Sequence, residues 1–292
     1  MTNISNKIGL GTVQWGQEYG ISNKEGQTSP SEVEKILTVA RLNNIKILDT
    51  AHDYGQSELI LGKNDLKEFN LITKTRNFNE NQISQIHQKR LISNFKDSIN
   101  KLVLKNVYGL LIHDVNDLFK PGGENLIKGL NFLKENGFVK KIGISIYDSN
   151  QIKLAMKLFK PDIIQIPINI FDQRLIKDGT LKMLADLNIE VHARSIFLQG
   201  LFFINEKNLP NYFLPWKNKI RDWHHYCNQI EATPLEAALS FILSLPEIKR
   251  CIVGVNNSLQ LLEVLEASKK SIFLQKDFSS LDENLINPKN WK

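Results

Sequence analysis

The sequence predicts an α/β protein folded as a closed (β/α)8 TIM barrel. Two observations predict it. Short apolar runs rich in β-branched residues alternate with segments of helical periodicity from Ile8 to Ala267, and strict alternation implies a parallel sheet with helical crossovers. Eight such runs fit into 292 residues, the size of one closed barrel. A doubly wound open sheet is the competing architecture. It calls for a Gly-rich phosphate turn after a strand, and neither G-x-G-x-x-G nor G-x-x-x-x-G-K-[ST] occurs.

Taken in order, Ile8 to Thr12 (IGLGT) reads as the first strand, with Val13, Gln14, Trp15 and Gly16 as a loop. A Gly-rich stretch from Gly16 to Gly26 precedes a helix start. There Ser29 is the expected N-cap, Pro30 suits the first turn, and Glu32 stands at the third helical position, as in a capping box. Val33, Ile36, Leu37, Ala40 and Leu42 form its apolar face, and Asn43-Asn44 ends it. The second strand starts at Ile45 and stops at Asp49. A polar turn through Tyr54 leads to a short helix carrying Leu59, Ile60 and Leu61.

The alternation continues. Phe69 to Lys74 is a strand, Gln82 to Leu104 a long helix (Ile83, Ile86, Leu91, Phe95, Ile99 and Leu102 inward), and Val107 to His113 a strand. A helix from about Glu124 stops at Gly137, a good C-cap. Strands follow at Lys141 to Ser145, Asp162 to Pro167, Ile189 to Ser195 and Cys251 to Gly254. Helices follow at Asp148 to Phe159, Ile176 to Leu187, Leu235 to Leu245 (after a Thr233-Pro234 cap) and Leu259 to Ala267. The segment from about Phe202 to Ile230 is long and aromatic-rich, as expected of a loop near the barrel mouth. The tail, Phe278 to Lys292, reads as a surface wrap.

Composition fits one domain spanning 1–292: 42% hydrophobic and 23% charged residues supply an ordinary core and surface. The net charge of +6 comes from scattered residues, a poor argument for nucleic acid, though a mildly basic chain suits a phosphorylated cofactor. Cys227 and Cys251 match no metal spacing, and MTNISNKIGL lacks the apolar core of a signal peptide. No run nears the roughly 20 apolar residues that span a bilayer. A reduced, cytoplasmic protein without membrane, metal or nucleic-acid partners is expected.

Three successive β/α units end in ionisable residues: Asp49, Lys74 and His113. Tyr54 sits in the loop after the first. In a barrel the C-terminal strand ends converge on one mouth, so an acid, a lysine, a histidine and a tyrosine are expected in one pocket.

These pieces resemble the aldo/keto reductase family. The matching stretches are IGLGT, LDTAHDYGQSELILG (48–62), ITK (72–74), LLIHD (110–114), KIGIS, DIIQIPIN (162–169), ARSIFLQGLF (193–202) and IVGVNNSLQLLEVL (252–265). The opening GTVQWGQEYGISN most resembles bacterial members associated with sugar and surface-polysaccharide pathways. The resemblance implies hydride transfer between NADPH (or NADH) and a small-molecule carbonyl. Tyr54 would be the general acid, Lys74 would favour its phenolate, Asp49 would hold Lys74, and His113 would orient the carbonyl. Ser145, Gln165 and Asn169 would contact the nicotinamide carboxamide. Arg194-Ser195 replaces a Tyr-Ser that stacks on the ring, and Ile146 stands where many members have asparagine. Gly254 opens the loop expected to meet the adenosine end, where Gln260 takes an arginine position, Glu263 matches an acidic adenine contact, and Val264 replaces asparagine. Trp15, Tyr19, Trp216 and the 202–230 segment would meet substrate.

Two other readings fit the residues: a Schiff-base aldolase with Lys74 as nucleophile, and a nicotinamide-binding regulatory subunit with little turnover.

Overall fold

Eight parallel strands close on themselves in sequence order in the computed structural model, which describes residues 7–291. They are β1 (Ile8–Gly11), β2 (Ile47–Asp49), β3 (Asn70–Lys74), β4 (Val107–Ile112), β5 (Val139–Ser145), β6 (Ile163–Pro167), β7 (Glu190–Arg194) and β8 (Ile248–Gly254). The closing seam pairs β1 with β8, setting Gly11 beside Gly254, while Gly11 also pairs with Asp49 on β2.

Ile47, Ile72, Leu111, Ile163 and Ile252 pack together inside the barrel. Branched side chains from so many strands leave little room, and the short residues accommodate them. A Cβ on Gly109 would lie 3.1 Å from Ile163 Cδ1 and 3.2 Å from Ile72 Cγ1. The larger core lies between the barrel wall and its helices, with Ile36, Leu37, Leu130 and Leu239 fully buried.

At the start of the strands, Glu190 accepts hydrogen bonds from Tyr108 (2.8 Å) and from Lys141, and lies 2.7 Å from His192 Nε2. A charged, half-buried cluster thus forms the floor of the barrel, at the end opposite the strand-end residues singled out above.

Several local readings are corrected. Val13–Gly16 is a helical turn, not a loop. Glu32 does not complete a capping box: Ser29 accepts from the Glu32 N–H, but the Glu32 carboxylate turns away to Ser258. Leu42 and Ile86 are 78% and 74% exposed, because each falls off the stripe that its neighbours bury. The Ile176–Leu187 helix is two pieces, Arg174–Lys177 and Thr180–Asp186, broken where Gly179 adopts a φ of 77°.

The long aromatic segment folds as a short turn, Asn211–Trp216, followed by the helix Lys217–Gln229. It has its own core around Phe171, Phe202, Phe213 and Trp223. The tail is more than a wrap: Phe278, Leu285 and Ile286 are buried in that core, and Phe278 packs 5.4 Å from Trp223. Lys292 lies outside the described residues. Cys227 and Cys251 are buried free thiols, both pushed up to about 12 by burial. Among the described residues no helix is long and apolar enough to cross a membrane.

Candidate active site

β2 and β3 end side by side, which brings Asp49 and Lys74 together. Lys74 Nζ donates to Asp49 Oδ2 at 2.6 Å, to the Thr50 carbonyl at 3.0 Å and to Tyr54 Oη at 3.3 Å. The ammonium has three protons, and each has a partner. Lys74 is 1% exposed. Burial works against its charge, but Asp49 and Tyr54 outweigh burial and raise its pKa above the ordinary 10.5.

Gln165 on β6 donates from Nε2 to Asp49 Oδ1 at 2.8 Å. Both carboxylate oxygens are therefore bonded, so the charge of Asp49 is compensated and its direction fixed.

The Tyr54 loop is held from behind. Gly55 has a φ of 55°, and the Gln56 N–H donates to the Gly16 carbonyl at 3.2 Å. Gly16 lies so close that a Cβ there would stand 1.8 Å from the Tyr54 carbonyl oxygen. Ser57, fully buried, shares hydrogen bonds with Thr12 and Thr50 and pins the start of the next helix to both β1 and β2.

His113 follows β4, and its ring meets the Tyr54 ring edge-on at 5.7 Å. Its Nδ1 is buried with no hydrogen-bond partner among the described residues. Burial, reinforced by the Lys74 charge, pushes its pKa down to about 4, so the imidazole is neutral near pH 7.

These residues open into a cavity of about 700 Å³, within the range of small-molecule and cofactor sites. Asp49, Tyr54, Lys74, His113, Ser145, Gln165, Arg194, Ser195, Gly254, Gln260 and Glu263 all line it, as does Tyr19. Burial, with Tyr54 nearby, pushes the Tyr19 phenol up to about 12.

Three residues expected here lie elsewhere. Trp15 is fully buried in the core, its indole N–H donating to the Val255 carbonyl at 3.3 Å, because the Val13–Gly16 turn swings it inward. Trp216 donates to Asp282 Oδ2 and packs on Tyr212 and Phe213. Asn169 is buried outside the lining: its Oδ1 accepts from the Phe171 and Asp172 N–H groups, and its Nδ2 donates to the Ser195 carbonyl. It shapes the loop after β6.

Arg194 does line the cavity, but its guanidinium lies 4.3 Å over the Tyr147 ring and donates to Ser195 Oγ and the Ile146 carbonyl. The Ile146 side chain offers no polar atom, and its backbone N–H is already bonded to the Gln165 carbonyl at 3.0 Å. Tyr147, Gln14 and Lys289 also line the cavity and were not anticipated. Tyr147 lies two residues beyond the strand end Ser145, a placement parallel to that of other mouth residues. Lys289 comes from the tail, far from any strand signal.

A family model described as the aldo/keto reductase family matches residues 7–286. No curated protein matches this chain at a significant level. Among solved structures, an aldo-keto reductase of Bacillus halodurans in its holo form is similar with a TM-score of 0.73 at 17% identity, over 93% of this chain and 89% of that one. A Pseudomonas aeruginosa protein assigned as an aldo-keto reductase is similar with a TM-score of 0.66 at 18% identity, over 90% of this chain and 89% of that one. At these identities the two structures share the fold.

Proposed function

The chain belongs to the aldo/keto reductase family, a family of carbonyl oxidoreductases, and on that premise we propose that it transfers hydride between a nicotinamide dinucleotide and a carbonyl or alcohol substrate, with Tyr54 as general acid. The observation that carries this reading is the buried relay from Asp49 through Lys74 to the Tyr54 hydroxyl, beside a neutral histidine.

The cavity fits such a dinucleotide. Gln14 Oε1 is buried there without a hydrogen-bond partner among the described residues, an acceptor that awaits a donor. Gly254 keeps the wall beside it open, since a Cβ would lie 2.4 Å from Gln14 Nε2. Ser145 and Gln165 would hold the carboxamide. Ser195, Gly254, Gln260 and Glu263 would line the path toward the adenosine, and Arg194 would flank the ring while resting on Tyr147.

When bound, a reduced nicotinamide supplies the hydride. The chain does the rest. The Tyr54 hydroxyl donates its proton to the oxygen that becomes an alkoxide. The Lys74 ammonium then stabilises the phenolate left behind, and Asp49 keeps that ammonium in place. A neutral His113 N–H donates to the same oxygen, in a bond that strengthens as negative charge develops. Tyr19, which lines the same cavity, would meet the substrate.

One contact bears on the choice of dinucleotide. The Ser258 N–H and hydroxyl open the Ser258–Ser268 helix, where an added ribose phosphate would seek donors. Both already donate to Glu32 Oε1 at 2.7 Å. No cationic side chain lies between Gly254 and Gln260. This favours NADH over NADPH, against the habit of the family.

Schiff-base chemistry at Lys74 calls for a free amine. The raised pKa and three hydrogen bonds of Lys74 favour an ammonium instead. The test is to titrate the protein with NADH and NADPH, following tryptophan fluorescence, and then to screen carbonyls with Tyr54→Phe as control. Tight binding and Tyr54-dependent turnover are expected. Binding without turnover of any carbonyl would favour the regulatory reading.

A further inference from the structure

Two cations share one aromatic ring at the mouth of the cavity. The Arg194 guanidinium carbon lies 4.3 Å and Lys289 Nζ 4.4 Å from the centroid of Tyr147. All three side chains line the same cavity as Tyr54 and His113.

Little in the protein neutralises this pair. Arg194 donates to a serine hydroxyl and a backbone carbonyl, both uncharged, and makes no ion pair among the described residues. Among the described residues Lys289 pairs with Asp114 alone, at 3.5 Å, with the two side chains 48% and 30% exposed. By contrast, Lys74 and Asp49 meet at 2.6 Å out of water. Two like charges beside one ring repel each other, and a tyrosine face offsets only part of that. An anion bound beside the ring, within reach of either cation, would offset this uncompensated charge and complete their hydrogen bonds.

The position of the pair identifies which ligand would bring that anion. Arg194 ends β7, but its guanidinium reaches across to Tyr147 and the Ile146 carbonyl just after β5, and Lys289 meets Asp114 after β4, whereas Gln260 and Glu263 follow β8. A dinucleotide with its carboxamide at Ser145 and Gln165 and its adenosine toward β8 leaves the side of the stack that faces Asp114, after β4, to the substrate. We propose that Arg194 and Lys289 recognise an anionic group, a carboxylate or phosphate, on the carbonyl substrate, which makes this a site for negatively charged aldehydes or ketones. The inference rests on the enzymatic reading above and narrows its substrate class.

The test compares two aldehydes of equal size, 4-formylbenzoate and 4-formylbenzamide. Their binding is measured by isothermal titration with and without saturating oxidised dinucleotide. The benzoate is expected to bind about tenfold tighter. That preference should shrink in Lys289→Gln and Arg194→Gln, survive in Arg194→Lys, and fade near 1 M salt, where charges are screened beyond roughly 3 Å. Lys289 sits half exposed on the tail, so its substitution leaves the barrel intact. Equal binding of the two aldehydes overturns the proposal, and so does a preference untouched by both Gln variants. Weaker dinucleotide binding with an unchanged aldehyde preference also overturns it, since the cations would then serve the cofactor phosphates. Turnover of the same pair with reduced dinucleotide is scored separately: a charge preference without turnover removes the enzymatic reading and keeps the recognition site.

Discussion

Glu32 Oε1 accepts two hydrogen bonds from Ser258, one from its backbone N–H and one from its hydroxyl, both at 2.7 Å. A carboxylate near the start of one helix thereby occupies the positive end of another. The Ser258 N–H, then its hydroxyl, then Lys35 hold the Glu32 carboxyl down at about 2, so it is ionised throughout the neutral range. Removing that charge weakens the hold on the two donors and takes a repelling carboxylate away from a phosphate. Glu32→Gln is therefore expected to improve NADPH binding relative to NADH by roughly three- to tenfold. Fluorescence titration reads the ratio directly. An unchanged ratio would mean that Ser258 is not where the ribose phosphate sits.

Lys74 Nζ stands 3.3 Å from the Tyr54 hydroxyl, so in the proposed reaction the ammonium would stabilise the phenolate left when Tyr54 gives up its proton. Tyr54→Phe removes the proton and keeps the ring. The expected loss in kcat is on the order of 10²–10⁴, with the dinucleotide Kd unchanged. Full activity in this variant would remove Tyr54 from the mechanism.

Gly16 lies outside the cavity lining, yet it sets where Tyr54 stands. A Cβ would lie 1.8 Å from the Tyr54 carbonyl oxygen and 2.5 Å from the Ser57 nitrogen, both backbone atoms that cannot rotate away. Gly16→Ala is expected to cost about 1–3 kcal/mol, the usual penalty for overpacking. It should lower turnover while dinucleotide binding persists. Thermal melts and steady-state rates together check this, and an unshifted melt with normal rates would refute it.

The positions of Asp49, Lys74 and His113 were legible because each apolar run stops at an ionisable residue, and a barrel gathers such stops at one end. Trp15 misled because a single helical turn reverses which way its side chain faces, and no period can be read over so short a stretch. Asn169 misled because its polar atoms serve the backbone of its own loop. Lys289 was invisible for another reason. It reaches the cavity only because Phe278, Leu285 and Ile286 dock in the second core, a long-range event that local pattern does not encode. Tyr147 carried a usable signal, its place just past a strand end.

His113 should stay neutral wherever the enzyme works. Burial and the Lys74 charge put its pKa near 4, below the ordinary 6.5, so it takes a proton only as the pH falls through about 4. The pH profile of kcat/KM should show no inflection from His113 between about pH 5 and 8. Proton NMR of the imidazole gives the pKa itself, and a midpoint near 6.5 would contradict this.

Glu190 makes the floor of the barrel acid-sensitive. Burial opposes its charge, but His192 and Lys141, with Tyr108, outweigh burial and hold its carboxyl far below the ordinary 4.5. A depressed carboxylate adds stability that is fully present above the unfolded pKa, here about 4.5. As the pH drops below that value the unfolded chain takes up the proton first, and the contribution drains away toward the lowered folded pKa. Glu190→Gln keeps the shape and loses the charge. Its urea midpoint is expected to be lower than that of the native chain at pH 7, with the gap closing between about pH 5 and 3. The comparison cancels the acid response of groups that do not touch Glu190, His113 included. A gap that stays constant across that range would show that the hydrogen bonds, and not the ionisation of Glu190, hold the floor together.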